Sequence, residues 1–398
     1  MELTVVTMGL FLFAGMASHW VSWRWGMPAI VVMTVAGMLL GPGLGFLNPD
    51  EVFGDLMKPL VSLAVAIILF EGSMSLDREE ILGFRKPVQR MITVVPLLSW
   101  VMTALAVHFI IGLSWTVAFV IGGLFVVTGP TVIMPLLRQA NLQNRPSALL
   151  RWEGIVVDPI GPLYALFAFQ IGLVLTGATD IFALAAFFGS AIIASVGGYL
   201  LGHTMGRMFE RKMVPYFMQT SMMFAVVVLA FGASNLLMPE SGLLTVTAMG
   251  MALANMGLDR HIFENIRHFK ENISVLLISA VFIILTASVT RAEAMTMLDW
   301  RLLVFVAVMI LLVRPLSVWL GLANTGIPAR EKTIVGWIAP RGIVALTVSS
   351  YFETILVDAG FTDAEIFVPL TLALVFITVT IHGFTLGPLA RKLGLSQV

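Results

Sequence analysis

Five ionisable side chains stand inside stretches that are otherwise apolar: Glu71, Glu153, Asp158, Arg314 and Arg341. In hydrocarbon each costs at least ~2.5 kcal/mol near a helix centre, so each requires a partner or a function. Three are acidic and two basic; pairing can neutralise two acids and leaves one carboxylate to titrate or to hold a cation. Asp158 fits that part best, because Pro159 follows it at once and frees backbone carbonyls beside it. A buried carboxylate can hold a proton or a small hard cation such as Na⁺, and the two compete for the same oxygens. Competition at one site, opened in turn to the two sides of a membrane, is sufficient for exchange of one ion against the other. The structural alternative is an aspartate that caps the kink or pairs with Arg314.

The other four invite different roles. Glu153 lies five residues before Asp158, and at 100° per residue the two side chains diverge by about 140°, so they do not share one ion. A pair with Arg341 is expected, tying two central helices together, with a direct proton-carrying role as the alternative. Glu71, in FEGS, either caps a helix end or lines the ion entrance. Arg314 precedes Pro315 and is expected to satisfy carbonyls released by that kink. His108, His203 and His382 lack a second His or acid at metal-ligand spacing, so no metal site is expected beyond the transported monovalent cation. Polar or packed roles are expected for all three, and His382 could also contribute to pH sensing.

The elements that must hold these residues follow from composition. Of 398 residues 59% are hydrophobic and 12% charged, against about 25% charged in an average soluble domain. With a mean hydropathy of +0.97, the solvent for most of the chain is lipid. At 1.5 Å rise per residue a span needs ~20 apolar residues. Thirteen stretches qualify, near 3–19, 27–46, 57–76, 90–112, 115–137, 147–175, 180–205, 216–237, 241–257, 273–290, 301–322, 332–352 and 364–388. The stretch 257–272 reads as an amphipathic helix between spans 9 and 10, and GPGLG at 41–45 as a helix end. No soluble domain fits between the spans. The 23 basic and 23 acidic residues cancel and no basic run occurs, which argues against nucleic acid, and the absence of Cys excludes disulfides and thiolate sites.

Assigning alternate loops to opposite sides puts 18 Lys and Arg on one side and 3 on the other. The positive-inside rule then places the amino terminus outside and the carboxyl terminus in the cytoplasm. Span 5 carries Thr128, Gly129 and Pro130 mid-membrane, and span 12 carries Ala339, Pro340, Arg341 and Gly342 at comparable depth. Proline removes a backbone donor and glycine weakens the helix, so both spans are expected to unwind. Counted as six spans, a linker and six more, each is the fifth of its half and the two run in opposite directions. Paired interrupted helices in inverted halves point to a secondary transporter with a midplane ion site.

These residues resemble the NhaP-type sodium/proton antiporters of the monovalent cation:proton antiporter superfamily, relatives of the sodium/hydrogen exchangers. The resemblance covers essentially the whole chain, through FEGS, the broken spans, EGIVVDP and APRG. It implies an all-α polytopic fold of about 13 spans with inverted six-helix repeats, and one transmembrane domain over 1–398. Within it, a mobile core would lie at about 57–175 and 273–390, the remaining spans serving dimerisation or scaffold. It further implies a homodimer in the bacterial inner membrane, no cofactor, and Na⁺ or K⁺ and H⁺ as substrates. Asp158 would be the essential aspartate, Thr128 and Glu71 its companions along the ion path, and Glu153 with Arg341 the core ion pair. Gly129, Pro130, Pro159, Pro340 and Gly342 would form the breaks. Three departures stand out: Gly129 where the family usually has Asp, Val157 where it usually has Asn, and Gly154 where it often has a hydroxyl. They shift coordination towards backbone carbonyls, Thr128 or water, and bring K⁺ close behind Na⁺. Val157 also stands where electrogenic relatives carry a second aspartate, and no Lys is buried, so electroneutral one-for-one exchange is expected. Relatives can carry a cytoplasmic nucleotide-binding regulatory domain after the last span; this chain, ending at Val398, either lacks that domain or is a truncation. A sodium-coupled symporter of an organic anion shares the broken-helix logic but needs more polar ligands; an intramembrane enzyme needs a motif the spans do not contain.

Overall fold

The computed structural model describes residues 2–46, 48–76, 79–256 and 275–396. The amphipathic helix expected at 257–272 lies outside the described residues. Regular structure among the described residues is helical apart from one isolated bridge between Leu142 and Ser396. The helices are α1 (Glu2–Trp25), α2 (Ala29–Met38), α3 (Pro49–Phe53), α4 (Met57–Met74), α5 (Arg85–Ile92), α6 (Val94–Ala106) and α7 (Trp115–Leu124). There follow α8 (Pro130–Ala140), α9 (Asn144–Val156), α10 (Ile160–Leu175), α11 (Phe182–Glu210), α12 (Tyr216–Leu237), α13 (Ser241–Ala254) and α14 (Val275–Ala287). The last are α15 (Arg291–Thr296), α16 (Trp300–Val308), α17 (Arg314–Gly321), α18 (Ala329–Trp337), α19 (Ile343–Asp358) and α20 (Phe367–Lys392). GPGLG does end a helix, in a π turn over Leu39–Gly43.

Among the described residues six helical stretches are long and apolar enough to cross a membrane, and α9 with α10 form a seventh, bent by 45°. The bend falls where Pro159 removes a donor. Helices α7, α13 and α14 are apolar but shorter. Leu and Ile side chains at Ile192, Ile193, Leu200, Leu229 and Leu236 are exposed, which only a lipid solvent favours. Trp20, Trp23 and Trp25 gather exposed at the end of α1, the aromatic signature of a membrane boundary. The chain is a multi-pass membrane protein.

It divides into two compact units, one of residues 1–59, 84–169 and 279–398, the other of 60–83 and 170–278. Most of α4 lies in the second unit, and α1 and α2 lie in the first. Small residues explain both placements. A Cβ on Gly250 of α13 would lie 2.6 Å from the Phe70 carbonyl of α4, and one on Gly41 would lie 2.2 Å from the Ala287 carbonyl. In the second unit Gly198 and Gly202 of α11 lie so close to α13 that a Cβ would meet the Thr245 and Met249 carbonyls at 2.2 and 2.3 Å. Without apolar-solvent drive between helices, such close backbone approach is what holds membrane helices together.

Candidate functional site

Both expected breaks are present. Span 5 stops as α7 at Leu124, runs non-helically to Gly129 and restarts as α8 with Pro130 in its first turn. Span 12 stops as α18 at Trp337, passes through extended Ile338 and Gly342, and restarts as α19. The two breaks cross at their glycines: a Cβ on Gly129 would sit 2.7 Å from the Gly342 Cα. No side chain fits on either strand there, which explains why glycine occupies both positions.

A broken helix leaves carbonyls without donors, and two arginines supply them. The Arg341 guanidinium, carried by the break in span 12, donates from Nη1 to the Val127 carbonyl of span 5 at 2.8 Å. Arg314 Nη2, at the start of α17, donates to the Val335 and Ile338 carbonyls at 3.1 and 3.0 Å. Those carbonyls come from the end of α18 and the following break, not from the kink at Pro315 where they were expected. Each cation also lies at the negative end of a helix dipole, a favourable placement.

Glu153 pairs with Arg314 rather than with Arg341, correcting the expected pair. Arg314 Nη2 donates to one Glu153 oxygen at 2.7 Å and Nη1 to the other, and both residues are buried. The geometry follows from the task Arg341 already has: its guanidinium is turned to the span 5 carbonyls. One helical turn of span 6 beyond this fork, Asp158 is fully buried at 0% exposure, and neither carboxylate oxygen has a hydrogen-bond partner. Its surroundings are set by α10 and α7, which pack closely enough that a Cβ on Gly161 would collide with Val127, and one on Gly123 with the Ala165 amide at 2.6 Å.

Thr128 is buried in the span 5 break with its hydroxyl unpartnered. Its carbonyl lies 3.0 Å from where a Gly154 Cβ would be, with Ile133 at 2.9 Å. The glycine that departs from the resemblance at position 154 therefore has a local reason, because the backbone of span 5 occupies the space a hydroxyl side chain would need. The structure adds two groups that composition and motif reasoning passed over or left open. The Thr131 hydroxyl is buried and unpartnered beside Gly129 and Gly342. His382, 1% exposed, has both ring nitrogens unpartnered and lines a small cavity of about 10 Å³, shared with Arg341, Arg314 and Thr378. That is room for about one water. A lone Thr and a lone His within apolar helices carry no sequence signal that distinguishes them from packed residues.

Glu71 is half-buried near the end of α4 and belongs to the second unit, whereas Asp158 and Thr128 belong to the first. His108 bonds through Nδ1 to the Leu113 carbonyl at 2.7 Å and stacks on Trp115, the packed role expected of it. His203 stacks on Tyr199.

Asp158 is thus a buried carboxylate without a hydrogen-bond partner, and Thr128 and Thr131, at the crossing of the two breaks, are buried with unpartnered hydroxyls. The sequence pattern of the transmembrane sodium/hydrogen exchangers matches residues 8–392. The chain belongs to the sodium/hydrogen exchanger family. This exchanger is 25% identical to the K(+)/H(+) antiporter NhaP of Alkalimonas amylolytica, over 99% of its own length and 67% of the relative's. It is 21% identical to the Na(+)/H(+) antiporter NhaH of Halobacillus dabanensis, over 92% of both. Against the K(+)/H(+) antiporter NhaP2 of Shewanella sp. MR-4, at 27% identity, it spans 63% of the relative's length. Its fold is that of the solved sodium proton antiporter MjNhaP1 of Methanocaldococcus jannaschii, with a TM-score of 0.80 at 19% identity, covering 98% of this chain and 99% of that one.

Proposed function

We propose that this exchanger is a secondary active antiporter that trades Na⁺ or K⁺ against H⁺, with Asp158 alternately protonated and cation-bound. The observation that carries the reading is the Asp158 carboxylate, fully buried with both oxygens free of protein partners. Leaving a buried polar group unsatisfied costs about 1–3 kcal/mol, more when it is charged, so the site favours occupation by a proton or a cation. Oxygens for a hard cation are at hand in the carboxylate and the Thr128 hydroxyl, with backbone carbonyls of the break as further ligands. Family membership and relatives named for Na⁺ and for K⁺ support both substrates. Glu71 would line the approach to the site.

Exchange is electroneutral on this reading. Asp158 is the one acidic residue of the ion path that is fully buried, with Val157 rather than a second acid beside it. The architecture is thirteen spans in two inverted halves of six, working as a homodimer in the bacterial inner membrane, with the amino terminus outside. Alternating access carries the crossing past a scaffold.

In proteoliposomes loaded with a pH-sensitive dye, pulses of Na⁺, K⁺ or Li⁺ should drive proton movement that is unchanged when the membrane potential is clamped. Asp158→Asn should abolish it while the protein stays folded by thermal unfolding. Retained exchange in that variant would remove Asp158 from the mechanism; a potential-sensitive signal would remove the one-for-one stoichiometry.

A further inference from the structure

A cavity of about 310 Å³ opens in the first unit where the turn between α1 and α2, the end of α8 and the last turns of α20 come together. It is distinct from the Asp158 site and from the small pocket at His382, with which it shares no residue. One wall is apolar, with Pro28, Leu136 and Phe384, the last 51% exposed on the outer face of α20. The other is polar. Gln139 Nε2 donates to the Gly26 carbonyl at 3.3 Å and so closes α8 onto the α1–α2 turn. Arg391 folds back along α20, its Nη1 3.7 Å from where a Gly387 Cβ would be.

The charge in this cavity is uncompensated. No Asp or Glu lines it, and among the described residues the Arg391 guanidinium has no ion pair or hydrogen bond. Arg24, Arg138 and Lys392, all exposed, stand at the same helix ends as Gly26, Gln139 and Arg391. Basic residues therefore gather at the helix ends that form this cavity, whose facing wall is apolar. A guanidinium prefers a phosphate oxygen pair, and basic pockets at the ends of membrane helices suit anionic lipid headgroups.

We infer that this cavity binds the headgroup of an anionic phospholipid, with the phosphodiester on Arg391 and an acyl chain leaving over Phe384. A free phosphate would satisfy the guanidinium but leave the apolar wall and the exposed Phe384 without a partner; the continuity of that wall with the lipid-facing side of α20 is what selects a lipid. The site stabilises the junction of α1, α8 and α20, whatever the ion at Asp158.

The test uses the full chain, delipidated in detergent, with thermal unfolding followed after addition of phosphatidylglycerol, cardiolipin, phosphatidylcholine or inorganic phosphate. The anionic lipids should raise the midpoint and the zwitterionic lipid and inorganic phosphate should not. Arg391→Gln should at least halve the gain. Gly387→Leu, whose Cβ would meet no atom closer than the mobile Arg391 tip, should fill the cavity and do the same while unfolding normally without lipid. A full gain in both variants, or an equal gain from phosphatidylcholine, would overturn the site. A gain reproduced by inorganic phosphate would overturn the lipid as its ligand.

Discussion

The fork between Glu153 and Arg314 joins two buried charges whose remaining valences are also used, since Arg314 Nη2 serves the Val335 and Ile338 carbonyls as well. Removing either partner strands the other, and a stranded buried charge costs about 3–5 kcal/mol. Glu153→Ala and Arg314→Ala should each lower the thermal midpoint in detergent sharply, and the double variant should lose far less than their sum. Additive losses would mean that the two side chains do not hold each other. Arg341 differs in kind, because its bonds go to carbonyls rather than to a carboxylate. Asp158 and Arg341 are thus both buried without an ionic partner. The count of three acids against two bases is not what frees Asp158: Arg341 is occupied elsewhere, and Glu71 belongs to the other unit.

At the scale of elements, the crossing of two extended strands depends on the absence of side chains. The atom a Gly129 Cβ would strike, 2.7 Å away, is backbone and cannot swing aside. Gly129→Ala and Gly342→Ala should force the strands apart and cost at least tenfold in exchange rate in proteoliposomes, with about 1–3 kcal/mol of stability. Gly154→Ser should be destabilising for the same reason, against Ile133 and the Thr128 carbonyl; a neutral result would show that span 5 can retreat. The turn between α12 and α13 carries a different strain. Glu240 is left-handed at φ 65°, and burial pushes its carboxyl up to about 7 from an ordinary 4.5. Between those values the folded protein keeps a proton the unfolded chain has released, so this residue makes stability fall as pH rises through that window. Glu240→Gly removes both the charge and the left-handed cost. It should raise the unfolding midpoint at pH 7.5 and flatten its pH dependence between pH 4.5 and 7; a slope left intact would place the titration elsewhere.

For the whole molecule, orientation is the property most open to a direct check, because the chain contains no Cys. Arg24→Cys, at the end of α1, and Lys58→Cys, at the start of α4, place single thiols at helix ends expected on opposite sides. In intact cells a membrane-impermeant maleimide should label the second and spare the first until the membrane is permeabilised. The reverse pattern would invert the topology and with it the side from which Asp158 is reached.

Much of this protein follows from its sequence alone. Solvent class, the stretches that become helices and both breaks depend on hydropathy, proline and glycine, which act locally and survive any change of packing. Partner choice does not work that way. Which arginine meets Glu153, why Gly154 cannot carry a hydroxyl, and which helices join α4 or α2 are set by where backbones approach within a few ångströms. Such approach is a property of residues far apart in the chain, and only the tertiary structure decides it.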